Sequence, residues 1–472
     1  MQYISNLQLA DNQFKIIERF QNRIQNRFLD IINNQQLDSI EFIQKFDISK
    51  LSIVNCSNIL QPILICDKIT ELTIKECGLK DIDLLELENL EVLNLSGNRL
   101  SYLSDVSRFK NLRDLDLSYN NFKDIQFLKS AKLEKLNLEF NQIKDISVLA
   151  QQTSLKDLNI AGNDKINIKT VHLLLNLVKL NISGCDAKIQ NLLKPLTNLE
   201  ELNVSFNQLN YNLENQTKLT KLTAQQINVQ KYDFLSLLTN IKSLDLSSNI
   251  KFDIQVLQQF GQLTSLTLKY NQLTNINKLD KLTNLEYLDL SYNKGVDLEP
   301  INRLNKLKQL YVRFCGLKNI IVLNNLVHLE ELDISDNTGV NITGIQNLIN
   351  LKILFSECNK LKDTNELKNM NNLKELQLNM NESIDITGLQ YLPQITKLML
   401  NKCKLYEISI LKSLMQLEYL DISTNCITNI GSLKEIKTLK LLNIDCNKVN
   451  DLNSVQELPY FDQFIIGDQH LQ

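Results

Sequence analysis

The side chains best able to do covalent or metal chemistry in this 472-residue chain are nine cysteines and three histidines. A thiolate can attack or ligate, and an imidazole can move a proton or hold a metal. Either task needs partners at short, defined spacing. His172, His328 and His470 are far apart, and none has a Cys or carboxylate at metal-ligand spacing. The chain carries no glycine-rich phosphate loop, nucleophile elbow or paired-Cys zinc motif. These residues predict no catalytic group, no metal, no cofactor and no small-molecule substrate. Cys56, Cys77, Cys185, Cys315 and Cys403 instead recur at one fixed place in a repeat, which predicts a structural role.

The repeat is L-x-x-L-x-L-x-x-N, as in Leu112, Leu115, Leu117 and Asn120. Its last position, the anchor, is Asn at 98, 120, 141, 163, 207, 249, 271, 293, 337, 359, 381, 425 and 447, Cys at the five positions above, and Ile227 once. By number these Asn anchors are Asn98, Asn120, Asn141, Asn163, Asn207, Asn249, Asn271, Asn293, Asn337, Asn359, Asn381, Asn425 and Asn447. Successive anchors lie 21 or 22 residues apart, except for 20 between Asn207 and Ile227. Asn brings two amide donors and a carbonyl acceptor, which suits turn groups that water cannot reach. Cys is a small, weakly polar replacement that tolerates burial.

The two close leucines share one face of a short strand, while the residues between them face outward. The apolar steps of three that follow, as in Ile276, Leu279 and Leu282, fit a tight helical or 3-10 return. One such coil cannot cover its own leucines, but a stack can. The pattern therefore predicts an α/β solenoid. Two coils look thin: the one with Ala224 and Ile227, and the one where Ser356 replaces a leucine. Both are expected to exchange amide hydrogens faster than their neighbours.

Segments such as Asn141-Gln-Ile-Lys-Asp-Ile-Ser-Val-Leu149 and Asn293-Lys-Gly-Val-Asp-Leu-Glu-Pro-Ile301 resemble the leucine-rich repeats of 22 residues found in bacterial internalins and in the eukaryotic phosphatase regulator sds22. The resemblance covers about nine tenths of the chain. It implies a horseshoe with a parallel β-sheet on the concave face and short helical or 3-10 returns on the convex face. It also implies a non-catalytic scaffold that binds a partner protein on that concave face. The alternatives are a regulatory or targeting subunit of a protein phosphatase 1-type enzyme and an internalin-like surface adhesin.

Terminal coils need caps. Phe14, Ile17, Phe20 and Ile24, then Phe28, Ile31 and Ile32, predict a helical cap over residues 1–47 ahead of about 19 repeats in 48–460. Phe461, Phe464 and Ile466 predict a capping strand, followed by a tail, in 461–472. A net charge of -3 offers no pull toward a phosphate backbone, so no nucleic-acid partner is expected. Asp11, Lys15, Glu18 and Arg19 interrupt the N-terminal apolar residues, and no stretch approaches a membrane span. A cytoplasmic monomer is expected, the nucleus being a second possible compartment. The abundance of Asn is read partly as compositional drift.

Outward positions are monotonous in the first half: Asn94, Asp116, Asn137, Asn159, Asn181 and Asn203. They diversify later into Tyr287, Asp289, Tyr311, Arg313, Asp333, Phe355, Glu357, Met399, Tyr419 and Asp421, the expected contact surface for a partner. A second row, just before the anchors, holds Tyr119, Phe140, Phe206, Tyr270, Tyr292 and Phe314, expected to stack along the sheet edge.

Overall fold

The computed structural model describes residues 7–10, 28–35, 48–57, 68–82, 87–186, 192–207, 213–227, 229, 232–250, 252–450 and 462–467. The chain divides into two compact units, 1–240 and 241–472. With strands numbered in chain order, the first unit holds eleven described strands, from β1 (Leu7–Ala10), β2 (Phe28–Ile32) and β3 (Lys50–Val54) to β11 (Lys221–Thr223). Within this unit each strand pairs in parallel with the next, leucine opposite leucine, as in Leu93, Leu115, Leu136 and Leu158.

The second unit repeats the arrangement from β12 (Ser243–Asp245) to β22 (Gln463–Ile465). It includes β14 (Tyr287–Asp289), β15 (Gln309–Tyr311), β16 (Glu331–Asp333), β17 (Ile353–Phe355), β18 (Glu375–Gln377), β19 (Lys397–Met399), β20 (Tyr419–Asp421) and β21 (Leu441–Asn443). Parallel strands need a crossover, and here it is a turn with a 3-10 segment of three to six residues. The steps of three match the 3-10 period, so Ile276, Leu279, Leu282 and Leu285 are all buried on one side.

The coils are tied together by their anchors. Asn337 donates through Nδ2 to the carbonyls of Val312 in the preceding coil (2.9 Å) and of Ile334 (2.8 Å) and Ser335 (3.2 Å) in its own. Its Oδ1 accepts the N–H groups of Cys315 and Leu317, each at 3.0 Å. A single amide thus satisfies five buried backbone groups on two coils. A cysteine anchor reproduces only the donor half: Cys185, Cys315 and Cys403 each place Sγ 3.3 Å from the carbonyl of the preceding coil. In the coils before Cys315 and Cys403, the N–H of Gly295 and that of Ser383 donate to the anchor's backbone carbonyl, as that of Gly339 does to the carbonyl of Asn359. Burial pushes the thiols of Cys185 and Cys315 up to about 12 and that of Cys403 to about 11, so all three stay protonated.

The N-terminal helical cap needs correction in the part the structure describes. Phe28–Ile32 is strand β2, paired with β3, and Leu7–Ala10 is β1. Leu29 and Ile31 are buried at strand spacing, and buried Asn34 sits in anchor register 22 residues before Cys56. The period-two alternation of Leu29 and Ile31 outweighs the helical spacing, because the open edge of the stack offers unpaired backbone groups to one more strand. Phe14, Ile17, Phe20 and Ile24 lie outside the described residues, as does Phe461. At the other end, Phe464 of β22 stands opposite Leu442 of β21.

Of the two irregular coils, the one at Ser356 is chemically repaired. The hydroxyl is buried and accepts from Nδ2 of Asn359 at 2.8 Å, so the lost leucine is exchanged for a satisfied polar contact. Ala224 and Ile227 are also fully buried, but Ile227 has no side-chain oxygen to receive turn N–H groups.

Candidate protein-binding face

The outward side chains of the strands fall into rows, and each row has its own physical logic. Four residues before the anchor, an Asn or Asp oxygen accepts the N–H two residues further on. Asn94, Asp116, Asn137, Asn159, Asn181 and Asn203 all do so, at 2.9 to 3.1 Å. This Asx bond ends the strand and begins the turn. The polar stripe is therefore architectural.

The same bond is made by Asp289 with the N–H of Ser291 (3.0 Å), by Asp333 with that of Ser335 (2.8 Å) and by Asp421 with that of Ser423 (2.9 Å). Asp289 is only 1% exposed and is further held by Lys269 at 2.8 Å, so it does not present itself to a partner. Its place among the outward contact residues is corrected on that ground. Asp333 and Asp421 remain partly open to solvent while capping their strands.

The cap is surrendered in four of the five strands from β15 to β19, where Tyr311, Phe355, Gln377 and Met399 occupy its position. Asp333 keeps it on β16. Register places Tyr311, Asp333, Phe355, Gln377 and Met399 directly opposite one another, strand by strand. Some of the released N–H groups are satisfied by the adjacent coil. That of Glu357 donates to Oγ of Ser335 (3.1 Å), and that of Asn401 to Oδ1 of Asn379 (2.8 Å). A local bond has thus been given up and rebuilt elsewhere to admit large, half-buried side chains.

Around this row the polar groups are positioned by one another. The Tyr311 hydroxyl donates to Glu331 Oε1 at 2.5 Å, and Nε2 of Gln309 donates to Oε2 at 2.8 Å. The Tyr311 ring lies 5.4 Å from that of Tyr287. Burial pushes the Tyr287 hydroxyl up to about 12 and that of Tyr311 higher still, with Glu331 adding to the latter, so both remain neutral donors. Arg313 holds Asp336 at 2.6 Å and approaches Glu357 at 3.9 Å. Tyr419 belongs to a separate group, with the Lys397 ammonium 5.5 Å from its ring and Lys397 itself paired to Glu375 at 2.9 Å.

Immediately before the anchor runs a row whose backbone is left-handed in all twenty described repeats, from Asn33 to Cys446, with φ between 48° and 70°. This conformation costs an L-residue roughly 1 to 2 kcal/mol. It is maintained because it turns the N–H toward the next coil, as when Tyr292 donates to the Arg313 carbonyl at 2.8 Å and Phe314 to that of Ser335 at 3.0 Å. The aromatics of this row are legible in the sequence; its left-handed backbone is less so. Asn33, Asn55, Gly97, Gly162 and Gly184 at the same position were the available signal. The expected stacking is present in places: Tyr270 and Tyr292 lie 4.2 Å apart at 14°, Tyr292 and Phe314 are at 5.7 Å, and Tyr119 and Phe140 are at 4.8 Å.

Among the described residues, no group of three or more His, Cys, Asp or Glu is arranged to hold a metal ion, and no helix is long and apolar enough to cross a membrane. His172 and His328 are exposed on the return side, and His470 lies outside the described residues.

Parallel strands closed by buried Asn anchors and returned by 3-10 turns define a leucine-rich-repeat solenoid. Family models for leucine-rich repeats match residues 88–130 and 110–151 (two-copy form) and residues 196–212 and 281–299 (single repeat). An internalin, inlF, of Listeria monocytogenes is 28% identical over 60% of this chain and 85% of its own, with a TM-score of 0.51. The mouse RP105/MD-1 complex aligns over 96% of this chain and 84% of that chain at 21% identity, with a TM-score of 0.62. The TLR13–ssRNA13 complex aligns over 94% of this chain and 66% of that chain at 21% identity and a TM-score of 0.58. No curated protein matches the chain. The chain is a leucine-rich-repeat protein, of the kind that generally acts as an interaction scaffold.

Proposed function

We propose that this chain is a non-catalytic scaffold that binds a partner protein on the outward sheet face of its second unit, centred on β15 to β19. The observation that carries the reading is the exchange of the Asx cap for Tyr311, Phe355, Gln377 and Met399 in neighbouring strands. Where the released N–H is not re-bonded by the adjacent coil, forgoing a strand-closing hydrogen bond costs on the order of 1 kcal/mol, and the large side chains add nothing to the leucine core behind the sheet. Large aromatics on an outward face serve contact. The mouse RP105/MD-1 complex shows that a protein of this fold can be found with a protein partner. The 28% identity to inlF supports a 22-residue repeat of the internalin or sds22 kind. The free thiols at adjacent anchors Cys56 and Cys77 suit the reducing cytoplasm.

The test is affinity capture with the full chain and mass spectrometry, comparing wild type with Phe355→Ala and Met399→Ala. A partner lost with either variant supports the face, whereas undiminished capture by both removes it. The same experiment separates two roles. A single stoichiometric catalytic partner marks a regulatory subunit of a phosphatase-type enzyme, and a diverse set marks a free-standing scaffold.

A further inference from the structure

The contact row is flanked by an excess of carboxylates. On the outward faces and lips of β15 to β17 stand four carboxylates, Glu331, Asp333, Asp336 and Glu357, against one guanidinium, Arg313. Arg313 is committed to Asp336 and Glu357. Glu331 receives only neutral donors, from Tyr311 and Gln309, and Asp333 receives the N–H of Ser335. The lysines at the near edge of these strands are also committed, Lys308 to Glu286 and Lys352 to Glu330, both at 2.7 Å. Asp333 lies between Tyr311 and Phe355 in strand register, so an aromatic ring stands on either side of it. Two strand spacings, about 10 Å, separate those flanking positions.

Resting on the proposed function of the same face, we infer that its occupant is a cationic polypeptide segment. An Arg or Lys side chain of that segment lies over Asp333 and Glu331 between Tyr311 and Phe355, and its apolar neighbours pack toward Met399. Three features fit this occupant: carboxylates that outnumber the single guanidinium among them, ring faces that attract a cation, and an apolar continuation of the row. An acidic segment or a polyanion meets like charge here.

The experiment selects from a random dodecapeptide display library on the full-length chain, then measures the selected peptides against Glu331→Gln/Asp333→Asn and against Phe355→Ala. Asn occupies the Asp333 row at Asn94, Asn137 and Asn159, where it makes the same cap, so the double variant removes charge and keeps the fold. Circular dichroism melting checks that it does. The expected result is peptides rich in Arg or Lys interleaved with apolar residues, binding that weakens with salt, and a loss of about tenfold or more in the double variant. Selection of neutral or acidic peptides or of none, or equal binding by the double variant, overturns the inference. Sedimentation that shows the chain self-associating through Phe355 also overturns it, because the occupant is then a second copy. Loss of binding in Phe355→Ala with full binding in the double variant leaves the proposed function standing and removes only the cationic partner.

Discussion

At the scale of single residues, the same side-chain type does opposite work according to what surrounds it. Asp289 and Asp333 both cap their own strands, but one is sealed by Lys269 and the other is left over a carboxylate-rich surface. Burial raises the Asp333 carboxyl above the usual range. Its native state therefore holds the proton more tightly than the unfolded chain does. The charge opposes folding at neutral pH, and this opposition fades as pH falls through the raised value toward the ordinary 3.8. Asp333→Asn should accordingly leave the melting temperature unchanged or raised at pH 7, with any gain vanishing near pH 4, as read by thermal melts across pH. The anchor amides behave in the opposite sense. Asn337→Ala leaves the N–H groups of Cys315 and Leu317 and the carbonyl of Val312 without their partner, and should cost about 2 to 4 kcal/mol in urea unfolding.

At the scale of elements, much of the coil was legible in the sequence, because both of its periods are simple. Period two wrote the strands, period three wrote the 3-10 returns, and the anchors wrote the turn. What was not legible was the work of the remaining polar residues. The Asn content read as drift serves several ladders. One is the anchor, and one is the Asx cap. A third donates to the carbonyl of the coil before, as Asn198 does to Leu175 and Asn350 to Val327. A fourth opens the 3-10 turn, where Asp145, Asn319 and Asp385 accept the N–H two residues on. Each depends on a neighbour some 22 residues away or on a local turn, neither of which a hydrophobic pattern displays. Nor did it display which outward residues were caps, so Asp289, Asp333 and Asp421 looked like Tyr311 and Phe355. The left-handed row gives a direct test. Phe314→Val should destabilise by about 1 to 3 kcal/mol, because a β-branched residue resists φ near 53°. Phe314→Gly should cost less, losing contact with Tyr292 but relieving the backbone. Gly388 marks a different constraint, since a Cβ there would lie 2.3 Å from the Thr364 carbonyl oxygen in the preceding coil. Gly388→Ala should therefore loosen that pair of returns by about 1 to 3 kcal/mol.

At the scale of the whole molecule, the contacts described run between consecutive coils, so stability is close to a sum of nearest-neighbour terms. A defect should then spread a few coils and stop. Hydrogen exchange of Asn337→Ala should show faster exchange around residues 310–360, with residues 90–160 unchanged; uniform acceleration along the chain would mean the repeats melt as one. The ion pairs that line the strand edges, such as Lys156 with Glu134 and Lys440 with Glu418, are exposed and separated by one coil each. Pairs of this kind contribute about 0 to 1 kcal/mol, so added salt should change the melting temperature little.

The left-handed row also equips the molecule with a ready-made ruler. Its side chains carry no share of the core, and two of them, Cys358 and Cys446, are partly exposed thiols four strands apart on one lip. The buried thiols of Cys185, Cys315 and Cys403 stay protonated and covered, so a paramagnetic thiol reagent should reach the lip positions, and Cys426 beside them, first. Four strand spacings amount to about 19 Å. With Cys426→Ser, a dipolar distance between labels on Cys358 and Cys446 would gauge the pitch of the second unit in solution, and any flexing of it when a ligand settles on the wall.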